Sequence, residues 1–319
     1  MSSNPVRYFV EVVRCGSIRE ASQRLNVAPS ALSRQIQNLE HELGMTLFER
    51  RPRGMALTAA GEIYARYAQT VILEDDRVRS DLEELRGLRR GVVRVATVEG
   101  VVADMLTTVV ARFREKYPGV RFHLATTGTD DVIASVRDGR TDVGISFHAQ
   151  PDAAVRFVRR KRDPLAALTH PDHPIAGRRQ IALTELLSYP VAVPEAGFGI
   201  RRLIDEQCRR LGHSMTPALE TNSIEALRGF ARSGAGITML PGMSFQREIR
   251  QGEIVAIPIS DRALNQCSMD ISVLAGRHLP IAISQFLGLL DSELMSAKPS
   301  RRKQIQPEKR ALRDQDRSR

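Results

Sequence analysis

Cysteine, lysine and long apolar runs are scarce in this chain of 319 residues, and each scarcity excludes something. The three cysteines, Cys15, Cys208 and Cys267, lie far apart and never at C-x-x-C spacing, which argues against a disulfide framework or a zinc site. No metal and no cofactor are expected. There is no run of about eighteen apolar residues, and the N-terminus lacks the apolar core of a signal peptide. The expected protein is therefore soluble, cytoplasmic and without membrane contact. The seven histidines are scattered, and no nucleophile–base pair or phosphate loop stands out, so an enzyme built on these residues is not expected. Arginine outnumbers lysine 42 to 5, a skew that genome composition explains better than dozens of recognition sites would.

The formal charge of +10 invites an anionic partner, but its location weakens that reading. Residues 298–319 carry nine Lys/Arg against three Asp/Glu, whereas residues 1–73 carry nine Arg against six Glu. Net charge alone says little about DNA. The stretch 298–319 has no apolar periodicity with which to bury a core and reads as a basic, disordered tail that favours solubility over DNA attraction.

A shaped site lies between Ser17 and Leu57. Ser17 and Glu20 form an S-x-x-E capping box, so a helix begins just after Gly16 and runs to Leu25. Asn26-Val27-Ala28 is the turn, and Pro29 opens a second helix at the position where its missing N–H costs nothing. In that helix Leu32, Ile36, Leu39 and Leu43 form one apolar stripe. Ser30, Arg34, Gln37 and His41 project to the opposite side, with Ser33 on the flank. Such a face suits the major groove, because Arg bonds guanine bidentately, Gln bonds adenine, and Ser bonds bases or phosphate. After Gly44, LFERRPRGMALT reads as a two-stranded wing whose tip offers Arg50, Arg51 and Arg53 to phosphates. A plain amphipathic helix with a solvated face explains the stripe but not the box, turn and wing beside it.

The stretch from Phe9 to Gly61, A-S-x-x-L-x-V-x-x-S-A-L-S-R-Q-I-x-x-L-E-x-x-L-G-x-x-L-F-E-R and then L-T-x-A-G, resembles the N-terminal domain of LysR-type transcriptional regulators. The resemblance implies a winged helix-turn-helix bound to double-stranded DNA at a roughly palindromic promoter site. It further implies control by a small-molecule effector, here of unknown identity, a homodimer that pairs into a homotetramer, and RNA polymerase as a further partner. Many relatives carry a small hydroxyl residue and Gln where this chain has Ala28 and Pro29, which weakens the expectation of a base contact at that corner. Relatives that sense oxidants use a cysteine pair, a role open to Cys208 and Cys267 only if the fold joins them.

Thr58 caps a helix from Ala59 that no Gly or Pro interrupts between Glu62 and Arg86. Tyr64, Tyr67, Val71, Val78, Leu82 and Leu85 recur at heptad-like intervals, with Asp75 as a polar break. About thirty helical residues span roughly 45 Å, too long for one small domain to cover. Pairing with a twofold mate is favoured over a helix lying on its own domain.

After the break Gly87–Gly91 the pattern alternates: VVRVATV, a helix Val101–Lys116, VRFHLATT, a helix Asp130–Asp138, then TDVGISF. A second set follows: PVAVP, a helix after Gly199, PALET, a helix Ile224–Arg232, and GITMLP. Two parallel-sheet lobes are expected, crossed at Lys161–Leu165 and Cys267–Leu274, with Pro280–Met295 returning to the first. The fold class is α/β, a winged helix-turn-helix with a linker helix and a two-lobed effector domain similar to type 2 periplasmic binding proteins. The expected division is 1–58 for DNA binding, 59–90 for the linker, 91–297 for the effector domain and 298–319 for the tail. Lobe I takes about 91–161 and 267–297, and lobe II about 162–266.

Ligands in open α/β lobes sit beyond the strands' carboxyl ends, near helix N-termini. That rule marks Glu99, Gly100, Thr127, Thr129, Phe147 and His148 in lobe I, and Phe198, Arg201 and Asn222 in lobe II. By resemblance, Gly100 replaces a ligand-binding Ser or Thr, Thr129 keeps a hydroxyl, and Phe147 stands where some aromatic-acid sensors have Arg. Glu99 adds negative charge at a helix N-terminus, so a neutral, cationic or amphoteric effector, or one with an apolar body against Phe147, is expected rather than a small dianion. Arg201 and His148 are the residues that could offset that charge. A constitutive DNA-binding regulator with a vestigial cleft is the main alternative; an enzyme or a transport solute-binding protein fits less well.

Overall fold

The structure is a computed structural model that describes residues 4–51, 54–84 and 91–296. Arg53, Leu85 and the basic tail fall outside these residues. Helices α1 (Asn4–Cys15), α2 (Ile18–Leu25) and α3 (Pro29–Leu43) enclose a core of Phe9, Val12, Ala21, Leu32, Ile36 and Leu39. Ser17 caps α2, its Oγ accepting the Glu20 amide at 3.4 Å. The Glu20 carboxylate does not return to the cap but pairs with Arg24 at 2.9 Å. Asn26 ends α2 with φ 54°, the left-handed conformation that Asn tolerates best after Gly. Ala28 precedes Pro29 with no side-chain cap, as its methyl requires.

The apolar stripe of α3 is one residue shorter than its spacing implies. Leu32, Ile36 and Leu39 are buried, but Leu43 is 45% exposed. Glu40 explains this: its Oε1 accepts the amides of Leu47 at 2.7 Å and Phe48 at 3.1 Å. Those bonds draw the chain back past Gly44, so Leu47 and Phe48 fill the space Leu43 would have reached. The wing is a hairpin of β1 (Phe48–Arg51) and β2 (Gly54–Leu57), in register from Phe48↔Leu57 to Arg51↔Gly54. Gly54 has φ +123°, and any Cβ there would collide with the Gly16 carbonyl. The next amide, Met55 N, donates to that carbonyl at 2.7 Å, fixing the wing to the α1–α2 turn.

Helix α4 (Ala59–Glu84) is capped by Thr58, whose Oγ1 accepts the Gly61 amide at 3.0 Å and donates to Thr46 O at 2.7 Å. Its 26 residues span about 39 Å. The expected stripe divides in two. Tyr64 stands edge-on to Phe9, ring centroids 4.8 Å apart, and Val71 packs on the same domain's core. Tyr67, Val78 and Leu82 are exposed, the last two at 53% and 57%. Gln69 Nε2 donates to the Asp138 carbonyl, tying α4 to the domain that follows.

Lobe I runs through β3 (Gly91–Thr97), α5 (Thr107–Lys116), β4 (Val120–Thr126), α6 (Thr129–Arg137), β5 (Val143–Phe147) and β6 (Val155–Arg162). Lobe II contains β7 (Leu165–Thr169), α7 (Leu183–Leu186), β8 (Val191–Pro194), α8 (Gly199–Arg210) and β9 (Leu219–Thr221). It closes with α9 (Ile224–Arg232), β10 (Ile237–Pro241), α10 (Gln246–Gln251) and β11 (Val255–Pro258). The chain then returns through β12 (Ser268–Leu274) and α11 (Ile281–Ser296) to lobe I. The sheet orders are β4-β3-β5-β12-β6 and β11-β7-β10-β8-β9, each with a parallel part and antiparallel strands at one side. One apolar core continues through both lobes.

The helix expected from Val101 begins in fact as a 3-10 turn at Glu99–Val101 and a π-turn at Val102–Leu106, with α5 only from Thr107. The strands β6, β7 and β11 carry no clear strand signal. VRFVRRKR is polar along most of β6 because that strand forms a sheet edge and keeps many side chains in solvent.

Candidate DNA interface and ligand cleft

On α3, Ser30, Arg34, Gln37 and His41 are exposed and Ser33 half-buried, all opposite the buried Leu32–Ile36–Leu39 stripe. Arg34 makes no ion pair among the described residues, so its guanidinium is available to a ligand. In the wing Arg50 pairs with Met55 across the hairpin. Arg51 is less available than its position implies: its Nε donates to Glu49 Oε1 at 3.0 Å and its terminal nitrogen bonds the same oxygen.

The cleft between the lobes holds a cavity of about 490 Å³, within the usual range for small-molecule sites. Glu99, Thr127, Phe198 and Asn222 line it. The remaining five candidates are positioned differently. Thr129 is 1% exposed and its hydroxyl donates to the Phe147 carbonyl at 3.2 Å. Phe147 is 1% exposed, its ring beneath Gly100, so it offers no apolar wall to a ligand. Gly100 is buried against Ser244, whose Oγ leaves no room for a Cβ there. His148 holds φ 49°, and burial lowers its imidazole below the usual range, so it is neutral at pH 7. Arg201 is engaged behind the cleft by Asp205 at 2.9 Å, Glu220 at 2.8 Å and the Pro194 carbonyl at 3.0 Å. Neither offsets the charge of Glu99.

Glu99 does not guard the start of its own helix. Its Oε2 accepts the Ile224 amide at 2.6 Å and Oε1 the Glu225 amide at 3.4 Å, so a lobe I carboxylate caps α9 of lobe II. Two further bonds cross beside it. Asp130 N donates to Gly197 O at 3.1 Å, and Asp130 pairs with Arg202 at 2.9 Å. Asp130 and Asp131 also line the cavity, from the first turn of α6. Their adjacency in T-D-D, just past a strand end, was the only sequence signal for them.

At the lobe crossing Asp163 Oδ2 accepts the Met243 amide at 3.0 Å. Burial raises its carboxyl to about 6, against the opposing pull of the Met243 and Gly242 amides. Cys208 and Cys267 are free, buried thiols, and burial raises both, Cys267 well above the usual range. Neither has the thiolate character of a peroxide-reactive cysteine.

Residues 4–62 match the family described as bacterial regulatory helix-turn-helix protein, lysR family, and residues 86–295 match the LysR substrate binding domain. The chain belongs to the LysR family of transcriptional regulators. Among LysR relatives, the transcriptional dual regulator GltC of Bacillus subtilis is 30% identical over 264 residues, 81% of this chain and 86% of that one. A probable nitrogen assimilation transcriptional activator of Synechococcus elongatus is 29% identical over 260 residues, covering 81% and 84%. Among solved LysR structures, a full-length OxyR variant of Pseudomonas aeruginosa superposes with TM-score 0.71 at 20% identity, over 93% and 95% of the two chains. Full-length CbnR in complex with its target DNA gives 0.57 at 20% identity, over 92% and 100%. The two-part LysR fold is thus shared across the described length. No helix of the described residues is long and apolar enough to cross a membrane.

Proposed function

We propose that this LysR regulator acts in the cytoplasm, reads a roughly palindromic promoter site as a dimer, and changes its grip when a small molecule enters the interlobe cavity. The observation that carries this reading is the coexistence of an exposed Ser30–Arg34–Gln37 face with a cavity of about 490 Å³ in one chain. Arg34 and Gln37 read guanine and adenine edges, and Ser30 and Ser33 bond bases or phosphate. Arg50, Arg51 and Arg53 hold the backbone. Exposed Val78 and Leu82 support pairing of α4 with its twofold mate. Assembly to a tetramer and contact with RNA polymerase complete the proposal, by analogy with the family. Within the cleft, Glu99, Thr127, Phe198 and Asn222 meet the effector, while Gly100, Thr129, Phe147, His148 and Arg201 set the walls' shape.

The test takes a duplex selected from a random pool by the purified protein, then screens cytoplasmic metabolites for thermal stabilisation and for a change in affinity. A metabolite specific to the native state raises the unfolding midpoint. One that does so and alters duplex affinity supports the reading. If none does either while the duplex still binds, the protein is a constitutive regulator.

A further inference from the structure

Resting on the effector reading above, we infer that the cavity admits an organic cation, an ammonium or guanidinium compound, and turns away small dianions. Glu99, Asp130, Asp131 and Glu195 line the cavity, and among the described residues no lysine, arginine or histidine does. Glu99 is engaged with α9 and Asp130 with Arg202. That leaves Asp131 on lobe I and Glu195 on lobe II. Asp131 accepts only the Thr127 hydroxyl, at 3.0 Å, among the described residues, and Glu195 makes no side-chain hydrogen bond or ion pair among them. Two carboxylates without a cation therefore face one cavity from opposite lobes.

Two of the places where an anion would bind are already filled from within the chain. Helix N-termini are the anion sites of such clefts. The α9 N-terminus is capped by Glu99, and the Asp130 amide in the first turn of α6 donates to the Gly197 carbonyl. At either of these a dianion would have to displace the group already bound, and anywhere in the cavity it would approach the two further negative charges of Asp131 and Glu195. An organic cation displaces nothing: it places N–H donors on Asp131 and Glu195 and its carbon body along Phe198 and Ala196. The carboxylates do not converge on one point. No cluster of three metal-ligating side chains occurs among the described residues, which favours an extended organic cation over a metal ion.

Calorimetric titration of the full chain at about 0.15 M salt, where exposed charges are screened beyond about 8 Å, tests this. The probes are putrescine, agmatine and cadaverine on one side, succinate and citrate on the other. The expected result is saturable binding of at least one cation, one per chain, and none of either anion. Glu195→Gln and Asp131→Asn should each weaken that cation about tenfold, equivalent to about 1.4 kcal/mol. Glu195→Asp, which keeps the charge, should recover most of the loss and guards against a merely structural effect. Saturable succinate or citrate binding, or cation binding indifferent to both variants, overturns the cation inference and leaves the effector reading standing. Binding of none of the five probes overturns the cation inference; only if the metabolite screen is also blank does the effector reading fall with it.

Discussion

The carboxylate of Glu99 and the backbone amide of Ile224 are joined across the interlobe cleft at 2.6 Å. One residue follows the first strand of lobe I, the other opens a helix of lobe II, and 125 positions separate them. The bond satisfies an orphan amide at the start of α9 and sets a negative charge against the positive end of its dipole. With the Asp130–Arg202 pair beside it, the protein's own groups hold the lobes together. An effector that alters DNA binding would act by strengthening or breaking these bonds, because a ligand shifts a conformational equilibrium only through differential contacts.

Ser223, the N-cap residue of α9, keeps its own bond to the Ala226 amide at 3.3 Å, so removing the Glu99 carboxylate should loosen the first two amides of the helix before the rest. Glu99→Ala is expected to cost about 1 kcal/mol, as for other lost N-caps. Amide exchange at Ile224 and Glu225 should quicken roughly fivefold, while that at Leu227, whose amide bonds to Ser223 O, should change less. Equal exchange in both proteins at Ile224 would show that the cap does not hold the lobes.

Asp163 makes stability depend on pH. Its carboxyl titrates near 6 when folded, against 3.8 for the free side chain, so between about 4 and 6 the folded state holds the proton more tightly. Stability should therefore fall as pH rises through that window and change little above it. Asp163→Asn keeps an oxygen for the Met243 amide without the charge. It should be more stable than the parent at pH 7 by up to about 3 kcal/mol, the gap closing towards pH 4. A gap constant across that range would rule out titration of Asp163 as its cause.

Assembly should depend on the far half of α4. Leu82→Asp places a charge on the exposed apolar face and, in a paired helix, would cost several kcal/mol by burying it unpaired. Light scattering should report a smaller particle, and half-site binding should outlast full-site binding. An unchanged oligomer with full-site affinity intact would contradict the role assigned to α4.

The DNA-binding half was legible in the sequence because its determinants are local. The cap at Ser17, the left-handed turn at Asn26, the start at Pro29 and the stop at Gly44 each act within a few residues. Leu43 misled because the bonds from Glu40 to Leu47 and Phe48 reach across the helix end. The cleft was only partly legible. Strand β5 is buried along its whole length, so periodicity could not say that Phe147 faces the core. Asp130 and Asp131 line the cavity only because the lobes close, and closure rests on contacts such as Asp130 to Gly197, far apart in sequence. Arg201 has one local partner, Asp205 four positions on in α8, but its second, Glu220, is 19 positions away and nothing local announces it.

Base reading by α3 is the central claim, and fluorescence anisotropy of Arg34→Ala tests it most directly. The titration uses a duplex selected by the parent protein and a scrambled one, each at several salt concentrations. The account predicts a loss of about 1–3 kcal/mol on the selected duplex, little change on the scrambled one, and relaxed preference at one position in each half-site. Arg53→Ala should instead weaken both duplexes and flatten the salt dependence. Equal losses on the two duplexes with Arg34→Ala would contradict base reading and leave α3 only a backbone contact.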